Sequence, residues 1–259
     1  MFAEDACAKL IAGYQAIGDN VRKATNIGRS GDDRDLYRLV DKIVTLASEP
    51  YGDFLCVTGC TNCCYNLPFV TSLEWETLYA HMLKLPPAAQ QTILQRTFDW
   101  FGAMLGRMIV GPAADTPGLI AMSSELSDVA TTAGHHCPLL IDDRCSTYEG
   151  RPLPCRAYGH FMQRIDEMLR TPYMCVPAQH HLTDHFPKDT VLPLYNQFGA
   201  RLVQLQGHDP ALAFIPLWIA SHATEGKLQD QINTRPDFAS AVPQFIATGT
   251  RLWGAPAPD

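Results

Sequence analysis

Apolar residues recur at helical intervals over the first fifty positions: Leu10, Tyr14, Ile17 and Val21, then Leu36, Val40, Ile43 and Ala47. The polar run "GRSGDDRD" between them, residues 28–35, reads as a turn and a helix cap. "TSLEWETLYAHMLKL" opens on Thr71 with Glu74 three positions later, the pattern of a capping box, so a helix is expected to start there. "PPAAQQTILQRTFDWFGAMLGRMI" carries prolines at its start and places Ile93, Thr97, Trp100 and Met104 on one face of a further helix. "GPAADTPG" at 111–118 reads as a loop and "LIAMSSELSDVATTA" as a short helix.

From His135 to Pro177 the pattern breaks into short apolar runs between turn residues. "CPLLIDDRCSTY" reads as a β-hairpin bending at Asp142, Asp143 and Arg144, and "EGRPLPCRAYG" as a proline-punctuated loop. "HFMQRIDEMLRTPYMC" fits either a second hairpin or a short helix. Three more helices are expected in "VLPLYNQFGARLVQLQG", "PALAFIPLWIASHA" and "DFASAVPQFIATG", and the tail "GAPAPD" is expected to fray. The expected fold is mainly α, with a small irregular β-hairpin and loop centre that carries cysteines. It reads as a single domain over 1–259: N-terminal helices at 1–50, a cysteine-cluster region with inserted helices at 51–177, and C-terminal helices at 178–259.

Charge narrows the function classes. The 259 residues carry a net charge of −7 and show no dense Lys/Arg patch, which argues against a nucleic-acid partner. "MFAEDACAKLIAG" has Glu4 and Asp5 where a signal peptide would carry Lys or Arg. The most apolar stretch, at 211–223, is too short to span a bilayer and contains Pro216. A soluble, cytoplasmic protein without a membrane partner is the expectation. In a reducing compartment crowded thiols bind metal or do redox chemistry more often than they form structural disulfides.

Eight of the nine cysteines form two groups. The first is Cys56, Cys60, Cys63 and Cys64; the second is Cys137, Cys145, Cys155 and Cys175. Cys7 stands apart, as a small buried hydrophobe of the first helix. Thiolate sulfur suits Zn²⁺ or iron–sulfur clusters, both of which commonly take four such ligands. Adjacent thiolates such as Cys63 and Cys64 diverge along either regular backbone and fit one tetrahedral ion poorly. Either they serve two sites, or one of them is not a ligand. Fully extended, the eight-residue step from Cys137 to Cys145 would span roughly 26 Å; the bend at 142–144 folds it back. Pro152 and Pro154 stiffen the approach to Cys155. Arg144, Arg151 and Arg156 either offset the negative charge of a thiolate centre or pair with Asp142, Asp143 and Glu149.

These residues carry a family resemblance. "CVTGCTNCC", then "TSLEWE", then "CPLLIDDRCSTYEGRPLPCRAYGHF" and Cys175 resemble the YkgJ-like cysteine-cluster family, whose domain is of the CxxCxxCC zinc- or iron-chelating type. The match runs through Cys137, Leu140, Cys145, Tyr148, Arg151, Pro152, Cys155 and Arg156 and covers about residues 54–177. Three residues rather than two separate Cys56 from Cys60, a departure from the family spacing. The resemblance implies a metal centre on all eight grouped cysteines. Related flagellin lysine methylases carry an iron–sulfur cluster and use S-adenosylmethionine, which favours a [4Fe-4S] centre supporting redox or methyl-transfer chemistry.

A structural zinc site that shapes a surface for a protein partner is the alternative, and neither reading decides whether the protein is an enzyme. "CVTGCTNC" also has the C-x₃-C-x₂-C spacing of radical S-adenosylmethionine enzymes, but the strand–helix repeats of that fold are not visible here. His135, His136, His160, His180, His181 and His185 lie near the second group; with eight cysteines at hand they are surplus as ligands there.

Overall fold

A computed structural model describes residues 4–51, 60–104, 127–128, 130–132, 134–185, 190–207 and 211–254. The chain forms two compact units, each discontinuous in sequence: 1–63 with 152–208, and 64–151 with 209–259. Helices dominate both, and the strands among the described residues form only two-stranded antiparallel pairs. The structure is mainly α with minor β.

The first unit starts with α1 (Glu4–Val21) and α2 (Leu36–Tyr51). Leu10, Tyr14 and Val21 of α1 and Leu36, Val40, Ile43 and Ala47 of α2 are buried, and Ile17 is half-buried. A Cβ added at Gly13 would sit 2.5 Å from Leu46 Cδ2, so glycine is what lets α1 lie this close to α2. The turn at 28–35 is built around the buried carboxylate of Asp35. It accepts from the amides of Gly28 (2.7 Å), Gly31 (3.0 Å), Ser30 (3.1 Å) and Tyr37 (3.0 Å), closing the turn and capping α2 together.

"HFMQRIDEMLRTPYMC" resolves as a hairpin of two strands, Phe161–Arg164 and Arg170–Tyr173, with Phe161 opposite Tyr173. Asn196 clamps it: its side chain accepts from the Arg164 amide at 2.7 Å and donates to the Arg164 carbonyl at 2.8 Å. Asn196 begins the helix Asn196–Gln206, whose Phe198 meets Phe161 edge-on. A helix over Val176–His185, which the hydrophobic pattern did not announce, follows the hairpin. Ala178 is its one buried residue, and most of its apolar residues crowd into the first turn, so no apolar periodicity marked it.

The second unit holds a large apolar core. The helices Ser72–Met82 (α3), Pro87–Met104 (α4), Ile215–Ser221 and Phe238–Trp253 bury Trp75, Trp100, Trp218, Phe98, Phe101 and Phe245 against one another. The capping box of α3 is present: Thr71 Oγ1 accepts from the Glu74 amide, and the Glu74 carboxylate accepts from the Thr71 amide at 3.1 Å. Ile93, Thr97, Trp100 and Met104 are all buried, as their spacing requires. Phe69–Thr71 pairs antiparallel with Leu212–Phe214, stacking Phe69 on Phe214 at 4.2 Å between ring centres. Among the described residues no helix is long and apolar enough to cross a membrane. The loop expected at 111–118, most of the helix expected at 119–133 and all but Gly254 of the tail lie outside the described residues; 127–128 and 130–132 are helical.

Candidate metal centre

The first cysteine group continues from Cys60 into a 3₁₀ turn at Asn62–Tyr65, which places Cys63 and Cys64. Successive side chains on a 3₁₀ helix diverge by about 120°, so the two adjacent thiols face different ways. The boundary between the two compact units falls at this same peptide bond, with Cys63 in the first and Cys64 in the second. Asn62 Nδ2 donates to Cys60 Sγ at 3.5 Å, the kind of hydrogen bond that stabilises a thiolate. Cys56 lies outside the described residues.

In the second unit, three cysteines are joined through backbone. The Cys137 amide donates to the Cys64 carbonyl at 2.7 Å, bringing these two cysteines together across the intervening helices. The Leu140 amide donates back to the Cys137 carbonyl at 3.0 Å. Leu140 pairs with Cys145 in a hairpin of two-residue strands, Leu140–Ile141 and Arg144–Cys145. Asp142 and Asp143 make its bend with φ of 49° and 57°, a left-handed pair that suits a tight two-residue hairpin loop and that Asp tolerates better than most side chains. Cys145 Sγ lies 3.7 Å from the hydroxyl of buried Thr147.

Cys155 and Cys175 belong to the first unit. The run expected to be a loop is a short helix, Leu153–Ala157, and Cys155 sits on it. Pro152 caps this helix and Pro154 occupies its first turn, where a missing N–H costs nothing, so prolines that suggested a loop start a helix instead. Cys175 precedes the helix Val176–His185, and its carbonyl accepts from the Gln179 amide at 3.0 Å.

The arginines divide. Arg156 is buried and holds both carboxylate oxygens of Asp41 at 2.9 and 2.8 Å, with its guanidinium over the Tyr37 ring at 4.3 Å. Its charge is matched by Asp41 on α2. Arg151 lies over Tyr148 at 3.9 Å, and Arg144 is exposed. Cys137 also borders a cavity of about 400 Å³ shared with Arg96, Asp99, His135, His136 and Asp143. Burial pushes the Asp99 carboxyl up, and His135 pulls it partly back. The His136 ring packs on Tyr65 at 4.2 Å.

The donor chemistry fits a soft or borderline metal: seven grouped cysteines are described, each half-buried and none in a disulfide. Among the described residues no three His, Cys, Asp or Glu side chains gather as a metal-holding group. The structure joins Cys64, Cys137 and Cys145 through backbone and does not close a set of ligands around one point. Cys7, on α1, is half-buried and not fully enclosed.

Residues 55–176 match the family model CxxCxxCC, described as "Putative zinc- or iron-chelating domain". No curated protein and no solved structure matches the chain.

Proposed function

We propose that thiolates drawn from Cys56, Cys60, Cys63, Cys64, Cys137, Cys145, Cys155 and Cys175, in the segment 55–176 that matches the CxxCxxCC model, chelate iron as a [4Fe-4S] centre, which takes four of them. The observation that carries this is the Cys137 amide bonded to the Cys64 carbonyl, which joins two cysteines far apart in sequence. An iron–sulfur cluster supplies one-electron chemistry when bound, and electron transfer or support of a methyl-transfer reaction are the activities that suit it. The thiolates close on the metal as it binds. Structural metal binding contributes on the order of 10 kcal/mol, enough to draw short loops and two-residue strands inward.

Cys63 and Cys64 diverge on the 3₁₀ turn, so the two do not both bind one ion. The companion reading is structural zinc. It is favoured by the local architecture, since the Cys145 hairpin has only two residues per strand. Anaerobic purification followed by iron, zinc and acid-labile sulfide analysis tests the proposal. Iron and sulfide in equal amounts, reduced in Cys63→Ser and in Cys155→Ser, is the expected result. Zinc without sulfide selects the structural reading. Full metal content in both variants overturns the ligand assignment.

A further inference from the structure

The helix Val176–His185 carries a feature that the cysteines do not use. His181 and His185 are one turn apart, with ring centres 4.1 Å from each other and planes inclined by 21°. The i, i+4 spacing puts both on one face of the helix. His185 Nδ1 lies 3.1 Å from the His181 carbonyl oxygen. A carbonyl only accepts, so Nδ1 is the donor and the neutral ring keeps its lone pair on Nε2. This is the arrangement of a metal-bound imidazole, whose second nitrogen donates to a backbone carbonyl and sets the tautomer.

We propose that His181 and His185 bind one divalent ion of the zinc, nickel or copper class, at a site separate from the thiolates. Imidazole nitrogen suits these ions, and at metal–nitrogen distances of roughly 2.0–2.1 Å two cis ligands stand about 3 Å apart. The lone pairs lie in the ring planes, so on binding the rings turn out of their stack about the side-chain torsions until both nitrogens face the ion. Cys175, at the start of the same helix, cannot share the ion. Six residues at 1.5 Å rise set it about 9 Å from His181 along the axis, beyond the roughly 4.3 Å that a sulfur and a nitrogen on one zinc ion allow. Two protein donors leave the remaining positions to water. The ion therefore exchanges more readily than one held by four thiolates.

Ni²⁺ is the probe. The full-length reduced protein, cleared of loosely held metal over a chelating resin, is titrated with Ni²⁺ by calorimetry. Histidine ring signals are followed in parallel by NMR. The expected result is paramagnetic broadening of the His181 and His185 rings, with affinity lowered on the order of 10–100-fold or more in His181→Gln and in His185→Gln. His180→Gln, on a neighbouring face, binds as the parent does. The ring signals identify the histidines that meet Ni²⁺ whatever the cysteines hold, and the heat that His181→Gln and His185→Gln remove is the part that belongs to this site. Unbroadened His181 and His185 signals, or equal affinity in the parent and both variants, overturns the proposal.

Discussion

Arg156 and Asp41 form an ion pair in which one guanidinium nitrogen, Nη1, donates to both carboxylate oxygens, and the arginine is almost fully buried while the aspartate is not. The pair ties the helix bearing Cys155 to α2, and the guanidinium also lies over the Tyr37 ring. Removing the carboxylate leaves a buried guanidinium short of its partner. Asp41→Ala is expected to cost about 1–3 kcal/mol, the lower part of the range being reasonable because Asp41 faces solvent on one side. Arg156→Lys does not restore the parent's stability, since an ammonium lacks the flat face that lies over Tyr37. Thermal denaturation of the three proteins checks this; a parent-like midpoint in Asp41→Ala refutes it.

Asp35 gathers four amides within the turn before α2. Asp35→Ala removes a helix cap and leaves several donors unsatisfied, so a loss of about 2 kcal/mol or more is expected. Asn, which keeps one acceptor oxygen, is expected to lie between the two. Urea denaturation with helix content as the signal measures it. Equal midpoints for Asp35→Ala and the parent would show that the turn does not need the carboxylate.

His222 is fully buried, and its two nitrogens do different work. Nε2 accepts from the Trp75 indole at 3.3 Å and the Asn233 amide at 3.0 Å, while Nδ1 faces the Trp218 carbonyl at 2.9 Å and the Ser221 hydroxyl at 3.0 Å. The rings of Trp75, Tyr79 and Trp218 enclose it. Burial holds its pKa below the usual histidine value, outweighing the backbone bonds. The unfolded chain therefore binds a proton that the folded chain refuses. This contribution to stability is fully present above about pH 6.5 and is lost progressively as pH falls below it toward the folded value. His222→Gln is expected to lower stability at pH 8 but to flatten the acid limb. A limb as steep in the variant as in the parent would assign the titration to another group.

Gly249 lies where the helix Phe238–Trp253 meets α4: a Cβ there would stand 2.3 Å from Phe98 Cδ2. Both residues are interior, so Phe98 has little room to give. Gly249→Ala is expected to destabilise by about 1–3 kcal/mol despite alanine's better helix propensity. A rise in melting temperature would show that the two helices can separate at small cost.

The helices that carry the core were legible because their apolar residues repeat every three or four positions, and burial of one face is all that such a stretch requires. The Thr71–Glu74 box and the Asp142–Asp143 bend were legible for a related reason: each is closed by residues within a few positions of one another. Cysteine crowding likewise announced thiol donors for a metal and the match of residues 55–176 to the CxxCxxCC model. What could not be read were contacts between residues remote in the chain. No local pattern joins Arg156 to Asp41, Phe69 to Phe214, Trp75 to His222, or the amide of Cys137 to the carbonyl of Cys64. The helix Val176–His185 was hidden because it buries almost nothing, and the prolines around Cys155 serve a loop or a helix start equally well until their neighbours are known. Composition and periodicity marked the helices that carry the core and the atoms that can ligate a metal, since both depend on side-chain type and spacing. Tertiary folding decided which charges are matched and which compact unit each cysteine joins, since both depend on the path of the whole chain.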